Sequence, residues 1–332
     1  MSKRTDKAPG KNYREGIPLF ELFQMFPDNE MAETWLEQCR WGDQGPECPR
    51  CKSREKITEA RNRKPVAYWC GLCRERFNVR TNTVMQSSKL SYQTWVIAMY
   101  LYVCNLKGVS SMKLHRDLGI TQKSAWFLAH RLREAMVSVN ATFEGPVEVD
   151  ETYIGGKEKN KHTSKKLNKG RGSVGKTAVV GAKDRKTNQI HAQVVEDTKA
   201  DTIQDFVTNS TGKDAQVYTD DNRSYIGLDR LHESVNHSAR EYVRGQAHTN
   251  GIESFWAIIK RAYKGTYHKF SRKHLSRYIL EFTGRHNIRK MNTIDQMNRM
   301  VLNMVGKRIR YIDLIEDHGL ESGARATAHH CR

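Results

Sequence analysis

Two groups of residues in this chain have the types and spacings that could do chemistry. The first is Cys48, Cys51, Cys70 and Cys73, two Cys-x-x-Cys pairs separated by eighteen residues. Each pair puts two thiolates on one tight knuckle, and two knuckles close a tetrahedron around zinc. Four thiolates fill the coordination sphere and leave no position for a substrate. The expected role is therefore structural, standing in for a core too small to hold alone. The second group is Asp150, Asp220 and Glu253. Magnesium is a hard ion that prefers carboxylate oxygens and keeps places for water and substrate phosphates. Two such ions, about 3.5–4 Å apart, stabilise both the attacking and the leaving oxygen of an in-line displacement at phosphorus. That chemistry needs carboxylates brought together from separate elements.

The elements that must position these acids are legible in part. Val147–Ile154 alternates in strand fashion and runs into Gly155-Gly156, while Thr177–Ala182 and Ile190–Val195 are two further strand candidates. Thr198–Val207 reads as a capped helical stretch, and Gln216–Thr219 as a short strand ending at Asp220-Asp221. Thr249 to about Tyr263 reads as a helix with Ile252, Phe255, Trp256 and Ile259 on one apolar stripe. The sum is a mixed α/β domain with acids at strand ends. Neighbouring residues of a strand point to opposite faces, so Glu151 should face away from Asp150. Asp221 competes with Asp220, and the Thr-Asp block favours Asp220. His248 and Asn250 either orient a ligand or cap the following helix.

Ahead of this domain, Ser91 can cap a helix carrying Trp95, Ala98, Met99, Tyr102 and Val103. Ser110–Leu118 reads as a short helix stopped by Gly119, and Thr121 caps a longer one carrying Ala125, Trp126, Leu128, Leu132 and Met136. Short helix, glycine turn, second helix is the helix-turn-helix pattern, with Gln122, Lys123 and Ser124 at the start of the recognition helix. Arg131 lies further along the same helix. Five segments follow: an N-terminal arm (1–43), a zinc ribbon (44–88), a helix-turn-helix (89–141), the α/β domain (142–320) and a tail (321–332).

Lysine and arginine outnumber the acids by 56 to 37, a formal charge of +19 in 332 residues. Such a surplus favours a polyanionic partner, because every phosphate neutralised releases counterions. Lys64, Arg74, Arg76 and Arg80 around the cysteines, the polar basic stretch 157–176, and Arg240, Arg244, Arg261 and Lys264 are the positions that could grip phosphates; a solvated surface is the plainer account of each. The longest apolar run, Trp95–Leu106, is too short to span a bilayer. The opening MSKRTDKAPGKNYREG lacks a signal peptide's apolar core, so a cytoplasmic, nucleoid-associated protein with no membrane partner is expected. Met291, Met297, Met300 and Met304 read as core or subunit packing. Gly170–Thr177 matches the phosphate-binding pattern GxxxxGKT. A working loop of that kind needs a buried strand before it and a helix opening at Lys-Thr, and neither flank fits, so no ATP is expected.

The blocks VDETYIGG, TDDNRSY and HTNGIESFWAIIKR resemble the three signature blocks of a DDE transposase with an RNase H-like catalytic core. With the preceding zinc ribbon and helix-turn-helix, the chain resembles the bacterial insertion-sequence transposases of the ISXO2-like (IS1595) family from about Asp43 to Leu314. Carried over by position, the resemblance makes Asp150, Asp220 and Glu253 the three acids. Some members use Asn at the third place, and Asn250 stands three residues earlier. Lys260, seven residues after Glu253 and two helical turns along the same face, matches the basic residue that follows the third acid. That offset, roughly 10.8 Å along the axis, lets Lys260 and the adjoining Arg261 hold DNA while Glu253 holds metal. The implied activity is binding of terminal inverted repeats, cleavage at the element ends and joining of the 3′ hydroxyl to target DNA. Two Mg²⁺ (or Mn²⁺) per site and a structural Zn²⁺ are the implied cofactors, double-stranded DNA and a homodimer or larger assembly the implied partners. A structure-specific nuclease and a zinc-ribbon regulator with an inactive core are the rival readings.

Overall fold

The computed structural model describes residues 14–60, 67–136, 142–167, 172–235 and 248–316. Lys64, Arg240, Arg244, Gly170 and the expected tail lie outside them, as does most of the N-terminal arm's first half. In chain order the elements are α1 (Leu19–Met25), α2 (Asn29–Trp41), β1 (Ile57–Glu59), β2 (Tyr68–Cys70), β3 (Glu75–Phe77), α3 (Tyr92–Cys104), α4 (Ser111–Leu118) and α5 (Gln122–Glu134). There follow β4 (Val147–Ile154), β5 (Thr177–Asp184), β6 (Ile190–Val195), α6 (Ala200–Ser210), β7 (Gln216–Asp220), β8 (Leu231–Val235), α7 (Asn250–Ala262), α8 (Leu275–Ile288), α9 (Thr293–Met304) and α10 (Tyr311–Ile315). The chain divides into two units, one of Met1–Val137 with Ile288–Leu314, the other of Ser138–Asn287 with Ile315–Arg332.

The first unit is built around α3. Its Trp95, Val96, Ala98, Met99, Tyr102 and Val103 are buried on all sides, as a helix apolar all round must be. It packs between α2 and α9. Met297, Met300 and Met304 of α9 are buried there, whereas Met291 is exposed. The loop after the cysteines is pinned to the end of α9 by Val84 N–H to Met304 O (3.2 Å) and Gly306 N–H to Asn82 O (2.8 Å). The span expected as one domain, 142–320, is thus divided. Residues 288–314 complete the core of the N-terminal segments, because the apolar stripe of α9 finds its partners on α2 and α3.

The caps expected at Ser91, Ser110 and Thr121 are formed, each hydroxyl accepting from the backbone N–H three residues on. Gly119 ends α4 with φ 62°, a left-handed conformation that glycine adopts without the Cβ penalty. The turn 119–121 leads straight into α5.

The second unit carries a five-stranded sheet in the order β6-β5-β4-β7-β8. The β4–β5 and β5–β6 pairs are antiparallel, the β4–β7 and β7–β8 pairs parallel. On one face α6 buries Ile203, Phe206 and Val207 against Val147, Val149, Val180, Ala182 and Val217. On the other, α7 and α8 bury Ile252, Phe255, Trp256, Ile259 and Phe282 against Ile154 and Val179. Strand β8 had no sequence expectation; its residues are mostly exposed, so Leu-His-Glu-Ser-Val shows no clear alternation. Helix α6 starts two residues later than expected, and Thr198 does not cap it. Asp197 organises that turn, accepting from Lys199 N–H and Thr202 Oγ1.

Trp256 lies directly over Gly181 of β5. A Cβ added there would sit 2.7 Å from two of its ring atoms. Gly181→Ala should therefore destabilise the unit by about 1–3 kcal/mol, the usual penalty for overpacking. Denaturant unfolding measures it, and an unchanged midpoint would mean the indole can shift freely. Among the described residues no helix is long and apolar enough to cross a membrane.

Candidate functional site

Strands β4 and β7 run side by side, pairing Val147 with Val217 and Glu148 with Tyr218. Carrying that offset of 70 along (217 − 147) brings Asp150 level with Asp220. Asp150 projects to the α7 face, where its Oδ2 accepts the indole N–H of Trp256 at 3.0 Å. Its carboxyl is pushed up to about 8, first by burial and then by the negative charges of Glu151, Asp220 and Glu253. Asp220 and Glu253 are thus both within electrostatic reach of Asp150. Asp220 is the last residue of β7 and accepts Asn222 N–H at 3.2 Å, whereas Asp221 is exposed. Glu253 is exposed in the first turn of α7 and accepts the Thr249 hydroxyl at 2.8 Å. Glu151 points to the opposite face, where Tyr225 Oη donates to it at 2.6 Å and Asn222 Nδ2 donates to its other oxygen. Lys260 and Arg261 are both exposed on α7, Lys260 on the side that carries Glu253.

Beside these acids stands a residue that the sequence motifs do not single out. Glu148, only 2% exposed, is two positions before Asp150 on the same face of β4. It accepts Arg185 Nε at 2.8 Å and Ile252 N–H at 2.9 Å. The signal that could have found it is the alternation in Val-Glu-Val-Asp, which puts two acids in line on one face. His248 lies 3.5 Å from Glu148, and neither it nor Asn250 caps α7; Thr249 occupies the cap position without a side-chain bond to the backbone.

The four cysteines converge in the first unit. Their sulfurs all lie within 4.8 Å of one another, and among the described residues no other set of His, Cys, Asp or Glu draws its ligand atoms so close. Cys48 to Cys73 is 3.4 Å and Cys51 to Cys70 is 3.7 Å. Four sulfurs around zinc at about 2.3 Å stand roughly 3.8 Å apart along each tetrahedral edge, so the spacing fits that ion. Each knuckle closes alike, Lys52 N–H bonding Cys48 O and Arg74 N–H bonding Cys70 O, both at 2.9 Å. Lys52 and Arg74 take left-handed φ values of 60° and 57°. Strands β1, β2 and β3 form one antiparallel sheet around the cluster.

Of the expected surface contacts at the start of α5, Gln122 and Lys123 are exposed and Ser124 is half-buried. Lys123 Nζ sits 4.5 Å over the Tyr311 ring. Arg131 departs from this set. It is 5% exposed, its guanidinium lies 4.0 Å over Phe127, and it donates to Gln86 O at 3.0 Å. It is a packing residue, because α5 turns its C-terminal half into the core. In the GxxxxGKT segment, Lys176 N–H closes a turn on Ser173 O and Thr177 opens strand β5, where a phosphate-binding loop would open a helix.

Residues 142–287 match the ISXO2-like transposase domain. An uncharacterized protein in transposable element ISH50 of Halobacterium salinarum is 28% identical over 275 residues, covering 79% of this chain and 92% of the relative. The matched domain stops at 287, the same residue at which the second unit gives way to the first.

Proposed function

Residues 142–287 carry an ISXO2-like transposase domain, and from that premise we propose that the protein is a DNA transposase. It binds the terminal inverted repeats of an insertion sequence, cuts at the element ends and joins the freed 3′ hydroxyl to target DNA. The observation that carries this reading is the setting of Asp150: buried, and within electrostatic reach of Glu151, Asp220 and Glu253, its carboxyl is pushed up to about 8, first by burial. Groups held at such a cost cluster at functional sites, and a cation beside these acids would relieve it. Asp150 and Asp220 from adjacent strands, with Glu253 from α7, would hold two Mg²⁺ or Mn²⁺ ions. When bound, these ions supply Lewis-acid stabilisation of the attacking and leaving oxygens. The mixed sheet, with acids on the adjacent inner strands β4 and β7, supports the RNase H-like reading.

The chemistry balances as two displacements at phosphorus. Water attacks at the element end, the P–O3′ bond breaks, and the 3′ oxygen leaves as a hydroxyl. That hydroxyl then attacks a target phosphodiester, whose own 3′ oxygen departs. Neither step requires ATP. Lys260 and Arg261, exposed beyond Glu253 on α7, would hold backbone phosphates. Gln122, Lys123 and Ser124 would meet base edges if α4 and α5 act as a helix-turn-helix. A zinc ion on Cys48, Cys51, Cys70 and Cys73 would hold the ribbon together. Joining two ends implies at least a dimer on DNA.

The test is a labelled duplex carrying the candidate ends, incubated with protein and Mg²⁺ beside a supercoiled target. The expected products are nicked ends and joined molecules. Nicking without joining would convert the reading to a nuclease; neither product, with ends still bound, would leave a DNA-binding regulator.

A further inference from the structure

We propose that the buried pair Glu148–Arg185 is the positioning device of the acidic site, fixing all three acid-bearing elements at once. This inference rests on the transposase reading and deepens it. The pair touches each element one or two residues before its acid. On β4, Glu148 itself stands two residues before Asp150, on the same face. On β7, the Arg185 guanidinium stacks 4.4 Å over the ring of Tyr218, two residues before Asp220. On α7, Glu148 Oε2 accepts the N–H of Ile252 at 2.9 Å, one residue before Glu253. Arg185 closes the circuit, donating to Glu148 Oε1 at 2.8 Å and to His248 O at 2.6 Å in the segment that leads into α7.

The reason for this arrangement lies in α7. Its cap residue, Thr249, makes no side-chain bond to the amides of the first turn; its hydroxyl donates to Glu253, and its carbonyl accepts Ile252 N–H at 3.1 Å. Ile252 N–H is shared between that carbonyl and a side chain from the sheet, and a carboxylate at a helix N-terminus suits both the hydrogen bond and the dipole. Glu148 supplies it from the sheet. Gly251 makes room, since a Cβ there would crowd the ends of both Lys183 and Glu148, lying 2.6 Å from Glu148 Oε2. A strand residue therefore caps the helix bearing the third acid, and its arginine partner grips the strand bearing the second.

The variants are Glu148→Gln, which keeps an acceptor for Ile252 N–H but loses the charge, Arg185→Lys, which loses the stacking fork, and Gly251→Ala, which alters no charge. In cleavage of end DNA each should raise the half-saturating Mg²⁺ concentration, with an activity loss of about 10–100-fold, the scale for groups that orient metal ligands. Saturating Mn²⁺ should recover part of the rate, and end binding should stay within about twofold. A purely structural role would lower melting temperature and soluble yield without moving the metal requirement. Wild-type metal dependence in all three variants would overturn the proposal; absence of cleavage by the parent protein would instead count against the transposase reading.

Discussion

Asp150→Asn should abolish Mg²⁺-dependent cleavage, by about 10³-fold or more, while leaving the metal-free protein more stable than its parent at pH 8. The two effects have one cause. In the fold the Asp150 carboxyl titrates at about 8, against about 3.9 in the unfolded chain. The raised value means that the fold prefers the protonated acid. Its contribution is fully present below about pH 4 and is lost as pH climbs from there to about 8. The cost at the upper end is on the order of 5 kcal/mol. Asparagine carries no charge at any pH, and its Oδ1 can still accept from Trp256. The variant's advantage should therefore grow between pH 4 and 8 and level off above. Denaturant unfolding in buffer free of Mg²⁺ and Mn²⁺, without chelator, reads it. A variant less stable than its parent at pH 8 would mean that Asp150 serves the fold and not a cation. The same titration gives metal binding a proton to displace, so affinity for Mg²⁺ should rise with pH across this window.

The second large effect is expected at the ribbon. Replacing Cys70 and Cys73 together by serine should remove one zinc per chain and, with it, binding to DNA ends. Strands β1, β2 and β3 have three residues each, far too few to stand on hydrogen bonds and packing. A four-thiolate zinc is worth about 10–16 kcal/mol at neutral pH, as much as a whole domain's net stability. Elemental analysis of the purified parent should find zinc in equimolar amount with protein, and none bound in the double variant. A parent devoid of zinc, with a folded ribbon, would end this reading. The second unit has its own sheet and two cores, so its unfolding transition should survive the loss.

Much of this molecule is legible in its amino-acid sequence. The cysteine spacing specifies a tetrahedral cluster, because each knuckle is closed by residues within one short turn. The caps at Ser91, Ser110 and Thr121 and strand β4 are legible for the same reason: each depends on neighbours in sequence. So is the opposite facing of Asp150 and Glu151, which the period of two in a strand dictates. Edge strand β8 escapes notice, since its mostly exposed, polar residues carry no alternation. Arg131 reads as a surface charge, because helical spacing says which residues share a face and not which face is buried.

Asp150, Asp220 and Glu253 lie on three separate elements, and only the tertiary structure sets those elements beside one another, through the register of β4 on β7 and the seat of α7 on the sheet. Sequence determines which side chains could do the chemistry and which local elements carry them. It does not determine that Glu148 caps a helix begun a hundred residues later, that Gly181 clears space for Trp256, or that α9 returns to complete the first unit. Those are contacts between residues far apart along the chain, made specific by close packing, and nothing local to either partner encodes them.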